Sequence, residues 1–317
     1  MNKTKKNKIL KSPYPYFGGK SGIAKQVWKR FGSVKNYVEP FFGSGAVLLA
    51  RPAPFGTETV NDMDGFIVNF WRATKYDPDM VIYWADYPIS EADLRARHGW
   101  LVNRRDRLIW CLEDPDFYDP KIAGWWVWGI SQWIGNGFCS GMGNYNSNGV
   151  HLSKIESGFK TSFRFCLPSI SNSGHGIHKK SLWYKFPEYI YALSERLRHV
   201  RIICGDWSRI VRQSITIKQG LTAVFLDPPY DRKTGRCPNI YNYETDVSQK
   251  VRKWAIENGD NPLYRIALCG YQGEHKMPNN WKRYSWKAKG GYANQRKDRK
   301  NINRFRERVW FSPHCLK

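Results

Sequence analysis

Thr222-Ala223-Val224-Phe225-Leu226 runs without a charge or break into Asp227-Pro228-Pro229-Tyr230. A short uncharged run rich in β-branched and aromatic residues, closed by proline, reads as a buried strand of a parallel sheet. Two prolines in succession end it, because each fixes φ and neither offers an N–H to a ladder. Outward from it, 188–199 reads as a helix and 200–204 as a strand on one side. On the other side come helix 247–258 and strands 263–269, 282–287 and 305–311. Near the beginning, Ile23, Val27 and Phe31 give a helix a buried stripe, with Ser21 as its cap. Tyr37-Val38-Glu39 is a strand that breaks at Pro40, followed by helix 46–51, strand 57–61 and helix 65–75. This alternation argues for a parallel α/β sheet, and the seven candidate strands make one sheet.

Residues 76–195 interrupt the pattern with eight tryptophans (Trp84, Trp100, Trp110, Trp125, Trp126, Trp128, Trp133, Trp183) and a Gly/Ser/Asn-rich run over 135–176. Ile122, Trp125, Trp126, Gly129 and Trp133 recur at helical spacing, the pattern of a helical core. We therefore expect 1–75 and 196–317 to form one domain and 76–195 a mainly helical insert. No apolar run reaches the ~20 residues of a membrane span. No apolar segment follows the basic start, so a signal peptide is not expected, and the expected location is the cytoplasm. The seven cysteines are dispersed and form no C-x-x-C, so neither a zinc site nor a thioredoxin-type site is supported. Lys and Arg number 51 against 27 acids, a net charge of +24 that calls for a polyanionic partner, favouring nucleic acid.

The residue types after the 222–226 strand suit one task. Ligands of an open parallel sheet sit beyond the carboxyl ends of its strands, where this tetrad falls. The exocyclic amine of adenine is a poor nucleophile because its lone pair is delocalised into the ring. Two acceptors, the Asp227 carboxylate and the Pro228 carbonyl, would hold its N–H groups and aim the lone pair. Pro229 stiffens the loop, and the Tyr230 ring offers a stacking face to a flipped-out base. A Pro-Pro pair also merely ends strands in turns, so the other segments decide. In Glu39-Pro40-Phe41-Phe42-Gly43-Ser44-Gly45 the glycines let backbone approach a nucleotide-like ligand. In Asn61-Asp62 the acid lies where ribose-binding acids follow such turns by about 20 residues, or else caps a helix. Gly205-Asp206-Trp207 would receive an adenine ring, or else is a capped turn.

With Tyr16-Phe17-Gly18-Gly19-Lys20, these segments resemble, in kind and order, the Dam-type DNA adenine methyltransferases (alpha-group, D12 class). The resemblance covers roughly 12–75 and 196–317; the insert matches in position and general character. It implies an α/β class I methyltransferase, Rossmann-like fold with a seven-stranded mixed sheet and an inserted target-recognition domain, S-adenosylmethionine as methyl donor, and a bacterial cell or phage-infected host as the setting. Tyr16, Gly19 and Lys20 fall in the segment that contacts the cofactor's methionine part. Phe41, Gly43 and Gly45 fall in the cofactor loop, Asp62 at the ribose-binding acid, and Asp206 and Trp207 near the adenine. Asp227 matches the catalytic aspartate and Tyr230 the stacking ring. Asn239–Tyr243, with Tyr241 and Tyr243, resembles the aromatic segment near the flipped base, and 232–238 a lid. Tyr16 stands where a tryptophan is familiar, and Phe17 where a small residue is.

Double-stranded DNA is the expected partner, with no membrane and no metal, because a sulfonium is already an activated donor. Lys154, Lys160, Arg164, Lys179 and Lys180 in the insert, and Arg296, Lys297 and Arg299 near the end, are candidate phosphate contacts. Asn146-Ser147-Asn148-Gly149 is a candidate hairpin turn. Methylation of RNA adenine and non-catalytic DNA binding are the rival readings. A monomer is compatible with all three.

Overall fold

A computed structural model describes residues 10–16, 18–133, 138–139, 176–178, 185–231, 247–287 and 305–317. Its centre is one seven-stranded sheet in the order β3-β2-β1-β4-β5-β7-β6. The strands are β1 (Asn36–Glu39), β2 (Thr57–Asp62), β3 (Val200–Cys204), β4 (Thr222–Leu226), β5 (Tyr264–Tyr271), β6 (Lys282–Ser285) and β7 (Glu307–Phe311). The first five pair in parallel, β7 runs antiparallel to β5, and β6 runs antiparallel to β7. The single seven-stranded α/β sheet read from the alternation is present, and its last two strands make it mixed, as the resemblance implies.

The uncharged run of β4 is explained by its two neighbours in depth. Ala223 and Phe225 belong to the core on one face, with Tyr37, Val60 and Ala267. Val224 and Leu226 belong to the other, with Val38, Ile266 and Leu268. A strand covered on both faces needs apolar residues at every position, not at alternate ones. On the first face lie α1 (Ala24–Phe31), α2 (Ala46–Leu49) and α3 (Gly65–Tyr76). Val251 and Ala255, in the last helix Ser248–Gly259, pack on the second.

Between β2 and β3 come α4 (Pro78–Ala85), α5 (Glu91–Val102), α6 (Arg105–Cys111), α7 (Pro120–Ile130) and α8 (Phe186–Leu197); Ser248–Gly259 is α9. Asp77, Ser90 and Asp119 cap α4, α5 and α7 through their side chains, each satisfying an N–H that the helix leaves orphaned. Helices α4 and α7 pack on each other, and α7 lies along α3. Their apolar residues share one core with the first face of the sheet. Trp126 of α7 meets Tyr14 edge-on at 4.8 Å and lies parallel to Phe66 at 6.5 Å. Trp128 is fully buried although it lies off the stripe read from sequence, because α7 is covered on more than one side. Beneath β2, the buried Glu58 takes Arg51 at 3.1 Å and Arg196 of α8 at 2.6 Å.

Ser21 does not cap α1. The chain makes a 3-10 turn over Lys20–Gly22 and the helix begins at Ala24, after Ile23, without a side-chain cap. This turn carries Lys20 inward, where it is 4% exposed. Strand β7 begins at Glu307 and β6 ends at Ser285, two residues inside the 305–311 and 282–287 boundaries read from sequence. Among the described residues no helix is long and apolar enough to cross a membrane.

Candidate active site

Strand order reverses between β1 and β4, and the loops leaving β1, β2, β3 and β4 meet there. Backbone and amide contacts lace the first three loops together. Asn61 Nδ2 donates to the carbonyls of Pro40 (3.0 Å) and Gly205 (2.9 Å). The Phe42 N–H bonds the Asn61 carbonyl at 2.9 Å, and the Gly205 N–H bonds the Asp62 carbonyl at 3.0 Å. Asp62 accepts from the N–H of Gly43 at 2.8 Å and of Asp64 at 3.0 Å. Burial pushes its carboxyl above the ordinary range, and these backbone donors oppose the shift. The helix cap of α3 is Asp64, not Asp62.

Gly43 is where this lacing is tightest. Its carbonyl accepts from the Tyr14 hydroxyl at 2.8 Å and from Trp71 Nε1 at 3.0 Å. Its φ is +46°, and a Cβ there would stand 2.8 Å from the Tyr16 ring. Only glycine fits both the left-handed backbone and the ring. The resulting pocket is lined by Tyr16, Phe41 and Gly43, by Asn61 to Asp64, by Gly205, Asp206 and Trp207, and by Pro229 and Val247. Phe41 and Trp207 in this lining stack on each other, with ring centroids 6.3 Å apart and planes 26° apart. Asp206 caps the 3-10 turn Trp207–Arg209 by accepting from Ser208 N at 2.9 Å, so one of its oxygens is already engaged.

Beside the pocket lies a buried cluster of charge. Lys20 Nζ stands 2.9 Å from Asp227 Oδ2, bonds the Gly18 carbonyl at 2.6 Å, and lies 5.3 Å from the centroid of the Tyr230 ring. The Tyr230 hydroxyl donates to Glu307 Oε2 at 2.8 Å. Tyr271 meets the Tyr230 ring edge-on at 4.6 Å. Burial pushes the Asp227 carboxyl up, while the Lys20 ammonium and hydrogen bonds from Lys20, Tyr230 and Cys269 pull it back. Burial alone would lower Lys20, but Asp227 and Glu307 outweigh it and hold the ammonium charged. Glu307 is likewise raised by burial and opposed by Lys20. Burial, then the neighbouring Glu307 and Asp227 charges, keep the Tyr230 phenol protonated. Glu39, at the end of β1, is raised well above the carboxylate range by burial, against a hydrogen bond from Tyr37.

Of the residues singled out in the sequence, Tyr16, Phe41, Gly43, Asp62, Asp206, Trp207 and Pro229 share the pocket wall. Gly19 lies outside it and closes a turn on the Tyr16 carbonyl. Gly45, at φ +67°, packs against Phe42 and Trp71 beneath the loop. Lys20 stands on Asp227. Lys154, Lys160, Arg164, Lys179, Lys180, Tyr241, Tyr243, Arg296, Lys297 and Arg299 lie outside the described residues, as do Phe17, the 146–149 turn and 232–238. The sequence reading missed Glu39, Glu274 and Glu307, whose signal was an acid at or beside the end of a buried strand. Among the described residues no group of three or more His, Cys, Asp or Glu side chains is arranged to hold a metal ion.

A parallel sheet whose strand order reverses over a ligand pocket, closed by an antiparallel β6–β7 pair, is the class I methyltransferase fold. Residues 16–107 match the family model of the D12 class N6 adenine-specific DNA methyltransferases. The chain is 24% identical over 247 residues to the type II methyltransferase M.MjaIII of Methanocaldococcus jannaschii, covering 74% of this chain and 75% of that protein. It is 26% identical over 95 residues to the DNA N-6-adenine-methyltransferase of Escherichia phage P1. That alignment spans 28% of this chain and 12% of the phage protein. The Asp227–Tyr230 tetrad lies beyond the segment that the family model matches.

Proposed function

We propose that the protein transfers a methyl group from S-adenosylmethionine to the exocyclic amine of a flipped-out adenine in duplex DNA. One observation carries this reading. Pro229, in the loop that presents Asp227, lines the same pocket as Asp62 and Trp207, so acceptor and donor sites share a wall.

The pocket's chemistry suits the cofactor. Phe41 and Trp207 give the pocket wall aromatic faces, and the Asp62 carboxylate, held by backbone N–H groups, lies in the same wall. The Gly43 backbone approaches without a side chain. Asp62 would take the ribose hydroxyls, Asp206 and Trp207 the adenine end, and Tyr16 the methionine end. When bound, S-adenosylmethionine supplies an activated sulfonium methyl. Asp227, ionised against Lys20, accepts one N–H of the target amine, and the Pro228 carbonyl accepts the other. Together they turn the nitrogen lone pair toward the pocket and take up positive charge as it develops there. Tyr230 offers the base the ring face away from Lys20.

Excess positive charge supports the DNA partner. Lys282, Arg283 and Lys287 are exposed along β6 and after it, and Glu307 opens β7 beside Tyr230. Arg296, Lys297 and Arg299 lie in sequence between these two strands. We assign 1–75 and 196–317 to catalysis and 76–195 to target recognition, in an enzyme working in the cytoplasm where the DNA is. The test is to incubate unmodified DNA with the protein and S-adenosylmethionine and map every methyladenine by sequencing. RNA of the same sequence serves as competitor. Methyladenine at defined DNA sites supports the proposal; methylation of RNA alone, or none, refutes it.

A further inference from the structure

We infer that Glu307 is a positioning residue that fixes the Tyr230 ring for the incoming base, a role that rests on the adenine reading above. The backbone around Tyr230 is held without it. Pro228 and Pro229 fix φ on one side. On the other, the Asp231 N–H donates to Glu274 Oε1 at 2.9 Å. Glu274 also takes Ser248 Oγ at 2.6 Å and the Tyr271 N–H at 2.9 Å. This buried carboxylate therefore ties the loop to α9 and to the end of β5. Rotation of the Tyr230 side chain is a separate freedom, narrowed by Tyr271 edge-on at 4.6 Å, by Lys20 at 5.3 Å and by Asp227 at the hydroxyl.

Glu307 removes that freedom at the far end of the ring, through the 2.8 Å bond to the hydroxyl. It is 5% exposed at the first position of β7, paired with Tyr271 of β5, so its own position is set by the sheet. The charged and titratable groups facing it are Lys20, Tyr230, Asp227 and Glu274. The phenol has a single hydrogen to give. Glu307 and Asp227 both compete for it, and the share that Glu307 takes leaves Asp227 lone pairs for the target amine. Without Glu307, Asp227 is the hydroxyl's remaining carboxylate acceptor, and the ring is drawn toward it.

Three variants of the full-length protein test this by single-turnover methylation of duplex DNA. Glu307→Val, which removes the acceptor, is expected to slow transfer by about tenfold to a hundredfold. Its KM for S-adenosylmethionine should stay within about threefold of wild type. Glu307→Gln keeps an acceptor oxygen and is expected to recover most of the rate, a rescue that a merely structural role would not give. Glu307→Val combined with Tyr230→Phe should be no more than about threefold slower than the slower single variant, because both remove one bond. A Glu307→Val protein turning over at wild-type rate, a glutamine variant as slow as the valine one, or a double variant slowed by the product of both effects overturns the inference. If the valine variant does not fold, a slow Tyr230→Phe with a fast Glu307→Gln is the expected pattern, and the reverse overturns it. Wild-type protein that makes no methyladenine counts instead against the adenine reading itself.

Discussion

Lys20→Met removes a buried ammonium and leaves a side chain of similar length. The ammonium lies 2.9 Å from an Asp227 carboxylate that is 20% exposed. At an effective dielectric of ~20, unit charges at that distance attract by roughly 6 kcal/mol, an upper bound on what the pair contributes. Removing one member of a buried pair typically costs about 3–5 kcal/mol, since the partner stays buried and unpaired, and the variant should be destabilised by that order near neutral pH. The sign of its pH dependence follows from Asp227. Burial raises this carboxyl and Lys20 opposes the rise, so in the variant it climbs further. A carboxyl raised in the folded state favours folding below its unfolded pKa of ~3.9 and loses that advantage as pH rises through the folded value. The deficit should thus be full at about pH 8 and shrink toward about pH 5. Urea unfolding of both proteins across that range measures it. The acid limb of kcat/KM should also move to higher pH, because Asp227 acts as an acceptor only when ionised. A deficit equal at both ends of the pH range, or an acid limb that does not move, would refute the pairing as the source of the effect.

Three further outcomes are expected. Asp227→Ala abolishes methyl transfer while DNA affinity in a binding titration stays within a few-fold, because its contact matters mainly in the transition state; near-normal turnover would remove the mechanism. Asp62→Ala raises the KM for S-adenosylmethionine by about tenfold to a hundredfold, and unchanged cofactor affinity would return Asp62 to a purely loop-lacing role. Gly43→Ala forces a Cβ into the Tyr16 ring at φ +46°, at a cost of about 1–2 kcal/mol for the backbone alone. Calorimetry should show weakened cofactor binding, and wild-type heat would sink the assignment of that loop.

The sheet was legible because parallel strands bury both faces. Ala223-Val224-Phe225-Leu226 carries its fold assignment in four consecutive residues, and the alternation around it set the layer order. The pocket was legible for a related reason. Residues that line it sit just after strand ends, at Phe41, Gly43, Asp62, Asp206 and Trp207, and strand ends can be read from pattern. The start of α1 was misread because Ser21 has the chemistry of a cap, whereas the 3-10 turn there is set by where Lys20 must go. That destination is 207 residues away along the chain, at Asp227. Periodicity says which side of an element is buried; it does not say which two buried charges meet.

The same limit hid Glu39 and Glu307, and the acids themselves show what was missing. A carboxylate at the end of an apolar strand is costly to bury without a partner, so each such acid implies a donor elsewhere in the chain. Glu39 finds Tyr37, two residues back, across one pleat. Glu307 finds Tyr230, on a different strand's loop. In a parallel sheet the ends of β1, β4 and β5 converge with the start of the antiparallel β7. Acids at those four places are therefore brought to one edge by topology alone. Once the strand order is known, the meeting of Lys20, Asp227, Tyr230 and Glu307 follows from it, and the order itself was the one quantity that the alternation left open.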